Sequence, residues 1–272
     1  KCHVLFKTKD NSSNLEANFI PDLIRNQGIE WTRRFLNGER VYSVDGPAAY
    51  KGFDPVPGGT HIYVQPAPPE PSKDPKIWKA AQDKLIWAMK DKPILLSWDW
   101  GMVPACTAHQ IALDRCPQWR VLHEWCGHVK YLDVFVPDVM SQVMQLWPGY
   151  RIIHYGDFAG KHRHNAATLD GRGQRISSSV QLMRDKFNIH VNTRRTTTEL
   201  EGMQVVQNYI SRIGGFQIHE YCTTTIEALA GGLQWELDSN GVPTGKTKKD
   251  GHFEHPADTL RTPFRRRPSG TC

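Results

Sequence analysis

The order of apolar segments after Pro93 is the feature that most constrains the fold of this chain. Residues 94–99 (ILLSWD) read as a buried strand, and 107–114 and 119–127 alternate like two antiparallel strands. Helical and extended patterns then take turns, which predicts an α/β domain with a mixed sheet flanked by helices. The later segments are helices over 136–147, 177–187 and 198–213, strands over 151–157 and 188–193, and a closing hairpin with a two-residue turn at Asn240 and Gly241.

The first 75 residues differ in pattern from the rest and are expected to form an N-terminal extension. A helical pattern covers 17–37, and the stretch from 45 to 75 is rich in Gly and Pro, with an extended linker at 65–71. A short amphipathic helix is predicted over 75–90. We therefore expect an extension over 1–75 and an α/β domain over 76–272. The chain begins at Lys1 without a Met, so we expect a fragment or a processed product.

Composition excludes some classes of protein. The longest apolar run, 94–96 continuing to Trp98, is far shorter than the roughly 20 residues of a membrane helix, so a membrane protein is not expected. The six cysteines include no CxxC pair, which argues against a zinc ribbon and fits free thiols in a reducing compartment. The 34 Lys and Arg against 28 Asp and Glu give a net charge of +6, which suits a polyanionic partner.

Three aspartates lie at the boundaries of predicted strands and helices. Asp99 ends the first predicted strand, Asp157 ends the fourth, and Asp258 falls in the first turn of a late helix. The order β-β-β-α-β-α-β-α is that of an RNase H-like nuclease core. Phosphodiester hydrolysis by two Mg²⁺ or Mn²⁺ ions about 4 Å apart needs such oxygen ligands. The alternative for each aspartate is a turn former or a helix cap.

Small and aromatic residues surround the first two acids. Gly101, Gly156 and Gly160 are expected to let a nucleic acid backbone approach closely. Trp98 and Trp100 flank Asp99 on alternate faces, and at least one of them is expected to pack in the core.

Other polar residues are candidates to assist. His255, three residues before Asp258, is a possible ligand, proton shuttle or cap neighbour, or an ordinary surface histidine. Two basic groups are candidates for contacts with DNA phosphates, with solvated surface as the alternative. They are the loop residues Lys161, His162 and Arg163 and the hairpin residues Lys246, Lys248 and Lys249; the tail 265–267 is a further basic segment.

One motif is set aside. The segment 240–247 (NGVPTGKT) ends like a phosphate-binding P-loop, but Asn240 replaces the first Gly and no apolar helix follows Lys246. We interpret it as a hairpin tip.

Three segments carry a family resemblance: 97–101 (SWDWG), 152–160 (IIHYGDFAG) and 252–262 (HFEHPADTLRT). In this order they resemble the nuclease domain of the large terminase subunit, the DNA-packaging motor of tailed bacteriophages. The segments 31–39, leading to Tyr50, 188–211 and 218–236 extend the resemblance over about 15–264. Residues 31–50 are similar to the end of the terminase ATPase domain. Thr259 after Asp258, where the family usually has Ala, and the predicted helix over 75–90 depart from its pattern.

The resemblance implies a metal-dependent endonuclease that cuts concatemeric double-stranded DNA during packaging. Asp99, Asp157 and Asp258 would correspond to the family's metal-binding acids, with two divalent ions, Mg²⁺ or Mn²⁺. Implied partners are double-stranded DNA and, in the intact motor, the ATPase domain, the small terminase subunit and the portal. The implied setting is the host cell cytoplasm. The ATPase domain is expected to have been removed from the N-terminal side, leaving a monomeric piece.

Two other functions stay open at this point. A Holliday-junction resolvase or transposase of the same superfamily would favour branched or sequence-marked DNA. A catalytically inert DNA-binding or motor-docking module would bind DNA with a steep salt dependence and show no metal-dependent turnover.

Overall fold

The computed structural model describes most of the chain from residue 47 onwards. The described ranges are 47–66, 87–100, 103–112, 118–127, 131–157, 178–194, 198–249 and 251–264, with the short pieces 160, 168–169 and 175–176 and the single positions 14, 18, 19 and 21. The expected helix over 17–37 and the basic tail 265–267 lie outside these residues or touch them at single positions.

Eleven strands and five α-helices are seen in this part of the chain. The strands are β1 (Ile62–Tyr63), β2 (Ile94–Asp99), β3 (Ala105–Ala112), β4 (Gln118–Cys126), β5 (Ile152–Asp157), β6 (Thr168–Leu169), β7 (Arg175–Ile176), β8 (Val191–Arg194), β9 (Phe216–His219), β10 (Trp235–Leu237) and β11 (Pro243–Thr247). The helices are α1 (Leu132–Leu146), α2 (Ser179–Phe187), α3 (Glu199–Ile210), α4 (Thr223–Glu227) and α5 (Glu254–Arg261), with a π-helical turn at Ala228–Gly232 and a 3₁₀ turn at Thr262–Phe264.

Seven of the described strands form one mixed sheet in the order β1-β9-β4-β3-β2-β5-β8. The meander β2-β3-β4 is antiparallel, and the pairs β2–β5, β5–β8, β4–β9 and β1–β9 are parallel. Parallel neighbours require crossover connections, and helices α1, α2 and α3 lie in them. The predicted α/β architecture, a mixed sheet flanked by helices, is confirmed.

Each face of the sheet has its own apolar core. On one face Trp119 and Phe216 pack with Val206 of α3 and Leu260 of α5. On the other, Trp98 packs with Val139 of α1 and Met183 of α2. Burial of a large apolar side chain stabilises a fold by about 1.5–3 kcal/mol, so these two layers hold the helices on the sheet.

The segment 47–66 packs on the same sheet. β1 pairs in parallel with β9 at the edge, and Ala49, Tyr50 and Ile62 are buried in the first core. The expected boundary near residue 75 lies outside the described residues. Of the helix expected over 75–90, only 87–90 is described, and these residues are not helical.

Several element boundaries differ from the sequence expectation. Helix α1 begins at Leu132, one turn earlier than expected, because Leu132 and Phe135 extend its apolar stripe, so that Pro137 lies inside the helix rather than in its first turn. Helix α3 ends at Ile210, before Gly214. Ser178 caps α2 as expected, its side chain accepting from the Gln181 N–H at 3.2 Å.

The last hairpin forms with a longer turn than the sequence suggested. The Asp238 N–H donates to the Val242 carbonyl and the Gly241 N–H to the Asp238 carbonyl, which leaves a three-residue loop, 239–241. Gly241 has a φ of 77°, a conformation that glycine adopts without strain. The residues 245–247 of the discarded P-loop motif lie in strand β11, as a hairpin interpretation requires. No helix in the described part of the chain is long and apolar enough to cross a membrane.

Candidate active site

Asp99 and Asp157 lie at the carboxyl ends of neighbouring parallel strands. Trp98 of β2 pairs with Gly156 of β5, and the next residue on each strand is an aspartate. Both strands begin with apolar residues and end in an acid (ILLSWD and IIHYGD), which is why the sequence already indicated their ends. The fold therefore brings two acids that are far apart in sequence to one edge of the sheet.

His255 lies beside the first of these acids. Its Nδ1 atom is 2.7 Å from Oδ2 of Asp99, and the two side chains are only 21% and 16% exposed. The hydrogen bond to Asp99 raises the pKa of His255 above its ordinary value, although partial burial opposes this. Of the roles considered from sequence, that of a free surface histidine does not describe this contact.

Asp258 lies in the second turn of α5, one turn later than expected, and is paired with two cations. Its Oδ1 accepts from Nη2 of Arg261, and Nζ of Lys249 lies 3.6 Å from its Oδ2. Among the residues that the structure describes, no three His, Cys, Asp or Glu side chains are grouped so that they could hold a metal ion. Asp99 and Asp157 thus lie at the same edge of the sheet, whereas Asp258 lies in an ion-pair cluster with Arg261 and Lys249.

A chain of buried hydrogen bonds fixes helix α5, which carries His255 and Asp258, to the sheet. The Trp119 indole N–H donates to Nδ1 of His109 at 3.2 Å, so the neutral imidazole carries its proton on Nε2, which lies 2.5 Å from Oγ1 of Thr107. The Thr107 hydroxyl donates to Oγ1 of Thr259 at 2.6 Å, and Thr259 donates to the Pro256 carbonyl at 2.6 Å.

Two glycines near the acids have a different role from the one expected. A Cβ atom built on Gly156 or Gly160 would overlap the Trp100 indole, so both glycines make room for this ring. The expectation that Gly156 and Gly160 leave space for a nucleic acid backbone is therefore wrong, because Trp100 fills that space. Gly101 lies outside the described residues.

The basic candidates are only partly described. Lys246 is exposed on β11, Nζ of Lys248 lies 3.2 Å from Oε1 of Gln234, and Lys249 pairs with Asp258. The candidates Lys161, His162 and Arg163 lie outside the described residues.

Sequence reasoning missed two charged residues of the cluster. Nη1 of Arg261 lies 3.2 Å from Oε1 of Glu199, and Arg261 also holds Asp258. The i, i+3 spacing of Asp258 and Arg261 on one helix is a signal that could have indicated their pair. Glu199 comes from α3, and nothing local in the sequence indicates that contact.

Comparison with known proteins gives structural matches only. No protein-family model matches the chain, and no curated protein matches it. The chain superposes on the large terminase of a thermophilic bacteriophage in complex with ADP with a TM-score of 0.52 and 16% identity, over 95% of this chain and 54% of that one. A second crystal structure of the same phage terminase gives a TM-score of 0.51 at 16% identity, over 96% and 54%. The chain thus spans about half the length of that terminase. This likeness confirms the predicted α/β fold class: the chain shares the fold of that large terminase over the matched half.

Proposed function

We propose that this chain is a metal-dependent DNA endonuclease of the large-terminase kind, which cuts concatemeric double-stranded DNA during genome packaging. The observation that carries the proposal is the placement of Asp99 and Asp157 at adjacent carboxyl ends of parallel strands, with His255 against Asp99. The fold shared with a large terminase supports the same assignment.

The donor chemistry at this edge fits a hard divalent cation. Carboxylate oxygens are the preferred ligands of Mg²⁺ and Mn²⁺, and Mg²⁺ binds through one or two carboxylates plus water and substrate phosphate. Asp99 and Asp157 would provide that pair, and Asp258 is the proposed third ligand. Two bound ions, Mg²⁺ or Mn²⁺, would stabilise charge on the attacking and leaving oxygens of the phosphodiester.

The chain's own residues prepare the site. The Nδ1–H of His255 donates to Asp99 and so orients that carboxylate. Lys246, Lys248 and Lys249, on and after β11, are the proposed contacts to backbone phosphates, together with Lys161, His162 and Arg163.

The proposed partners, cellular setting and domain bounds are those of a large terminase. Partners would be double-stranded DNA and, in the intact motor, the terminase ATPase domain, the small terminase subunit and the portal, in the host cell cytoplasm. We propose that residues 76–272 form the nuclease domain and that 1–75 are the extension from the ATPase side, of which the segment 47–66 packs on the sheet of the nuclease domain. An isolated piece of this kind would be monomeric.

A supercoiled-plasmid assay tests the function. The chain is incubated with EDTA, Mg²⁺ or Mn²⁺, and Asp99→Ala and Asp157→Ala are compared with Asp91→Ala, a control at an acid whose side chain is 76% exposed. We expect metal-dependent cleavage that both site variants lose and the control keeps, with DNA binding retained in all three.

Other outcomes separate the alternatives. Nicking by Asp99→Ala in Mn²⁺ would contradict the assignment of this acid. Preferential cutting of cruciform over linear duplex would favour a resolvase. DNA binding without cleavage under any metal would favour an inert docking module.

A further inference from the structure

The two cations that contact Asp258 differ in how firmly they are held. The Arg261 side chain is 12% exposed and bonds to Oδ1, whereas the Lys249 side chain is 57% exposed and lies against Oδ2. Each oxygen of the carboxylate therefore has its own cation, one mostly buried and one facing solvent.

Arg261 is fixed by helix α3 as well as by Asp258. Its Nη1 lies 3.2 Å from Oε1 of Glu199, and the Thr247 hydroxyl donates to the same Glu199 oxygen at 2.6 Å. Gly202, one turn further along α3, makes room for the arginine stem, since a Cβ there would lie 3.1 Å from Cδ and 3.3 Å from Cβ of Arg261. Contacts from α3 and α5 thus restrict the guanidinium, and Thr247 of β11 holds the Glu199 carboxylate that faces it.

Lys249 has the opposite character. It follows strand β11 and reaches Asp258 from the solvent side with a flexible stem. An exposed ion pair of this kind contributes little free energy, so its partner is easily exchanged. The oxygen that it contacts is also a hard ligand atom, so a divalent cation and the ammonium group compete for it.

We propose that Arg261 is the positioning residue of Asp258 and that Lys249 is its exchangeable counter-ion, which leaves Asp258 when a divalent cation binds. This inference rests on the proposed nuclease function. The released ammonium group of Lys249 is then available to contact a DNA phosphate. Metal binding at Asp258 and DNA binding by the hairpin are thereby coupled.

Two variants that remove the same charge distinguish the two roles. In calorimetric titrations of the whole chain with Mn²⁺, Lys249→Met should lower the Kd about threefold, because a weak competing ion pair is gone. Arg261→Met should raise the Kd about tenfold or more, as expected when a residue that orients a metal ligand is lost. Lys51→Met, the same charge change at an exposed position outside the hairpin, should leave the Kd for Mn²⁺ unchanged.

Two further variants keep the positioning role testable if Arg261→Met misfolds. If Arg261→Met does not unfold cooperatively, Glu199→Gln loosens the guanidinium without removing it and should still raise the Kd for Mn²⁺. Arg261→Lys should bind Mn²⁺ more tightly than Arg261→Met but less tightly than the wild type. An ammonium group lacks the planar guanidinium whose two terminal nitrogens face Asp258 and Glu199 separately.

Opposite shifts in the two charge-removing variants support the inference. Tighter Mn²⁺ binding in both would overturn the positioning role of Arg261, and an unchanged Kd in Lys249→Met would overturn the exchange. Plasmid cleavage by the wild-type chain, measured in the same preparation, distinguishes a failure of this inference from a failure of the proposed function. Metal-dependent cleavage without opposite shifts of the Kd in Lys249→Met and Arg261→Met would contradict this inference alone. An absence of both Mn²⁺ binding and cleavage would contradict this inference and the proposed nuclease function.

Discussion

The indole N–H of Trp100 donates to the main-chain carbonyl of Asp157 at 3.1 Å, across 57 residues of sequence. Trp100 follows Asp99 directly, so a single ring ties the end of β2 to the end of β5. The ring also stacks near Trp98, with centroids 6.4 Å apart, and fills the space over Gly156 and Gly160. The two strand-end acids are therefore held in one register by packing as well as by the ladder of the sheet.

The fit of Trp100 against Gly156 predicts that a single added methyl group is costly. A Cβ at Gly156 would overlap the indole and lie 3.0 Å from Cγ1 of Val191, so Gly156→Ala should lower the free energy of unfolding by about 1–3 kcal/mol. Urea unfolding measures this. In a Trp100→Leu background the same change should cost clearly less, and an equal cost in both backgrounds would contradict the contact.

The buried Thr107–Thr259 contact predicts a coupled effect on stability. Thr259→Val leaves the Thr107 hydroxyl and the Pro256 carbonyl without this partner, which should cost about 1–3 kcal/mol of unfolding free energy. The double variant with Thr107→Val should cost less than the sum of the single changes. Thr244→Val, at an exposed position, serves as the control, and strict additivity of the pair would argue against the contact.

The capping box of α3 predicts a smaller effect. The Thr198 hydroxyl accepts from the Glu201 N–H at 3.3 Å, and the Glu201 carboxylate accepts from the Thr198 N–H at 2.9 Å. Thr198→Ala should lower the free energy of unfolding by about 1 kcal/mol. Thermal or urea unfolding checks this, and Thr198→Ser, which keeps the hydroxyl, should stay close to the wild type.

The sequence predicted the elements that periodicity defines and missed the contacts that tertiary packing makes. The predicted bounds of β2 and β5 agree with the structure within one residue, because each strand begins with apolar residues and ends in an acid. The contact between His255 and Asp99 joins residues 156 apart, so no local pattern indicates it. Gly156 was misread because a glycine beside an acid has the same appearance whether it faces a ligand or a tryptophan ring.

The buried imidazole of His109 predicts how stability depends on pH. Burial lowers the pKa of His109 from its ordinary value of 6.5 to about 3, and its Nδ1 accepts the Trp119 N–H, so a second ring proton has no acceptor there. Between these values the unfolded chain binds a proton that the folded chain does not, so stability is complete above pH 6.5 and falls as the pH falls towards 3. At about pH 5 the loss from this one group should be about 2 kcal/mol. Burial also lowers the pKa of His154, to about 4, so His154 contributes to the same loss of stability. The contribution of His109 is therefore measured as the difference between the wild type and His109→Gln in urea unfolding at several pH values. His109→Gln should show a shallower fall of the unfolding free energy below neutral pH, whereas His190→Gln, at an exposed position, should follow the wild type. An equally steep decline in His109→Gln would show that this imidazole is not held neutral by the fold.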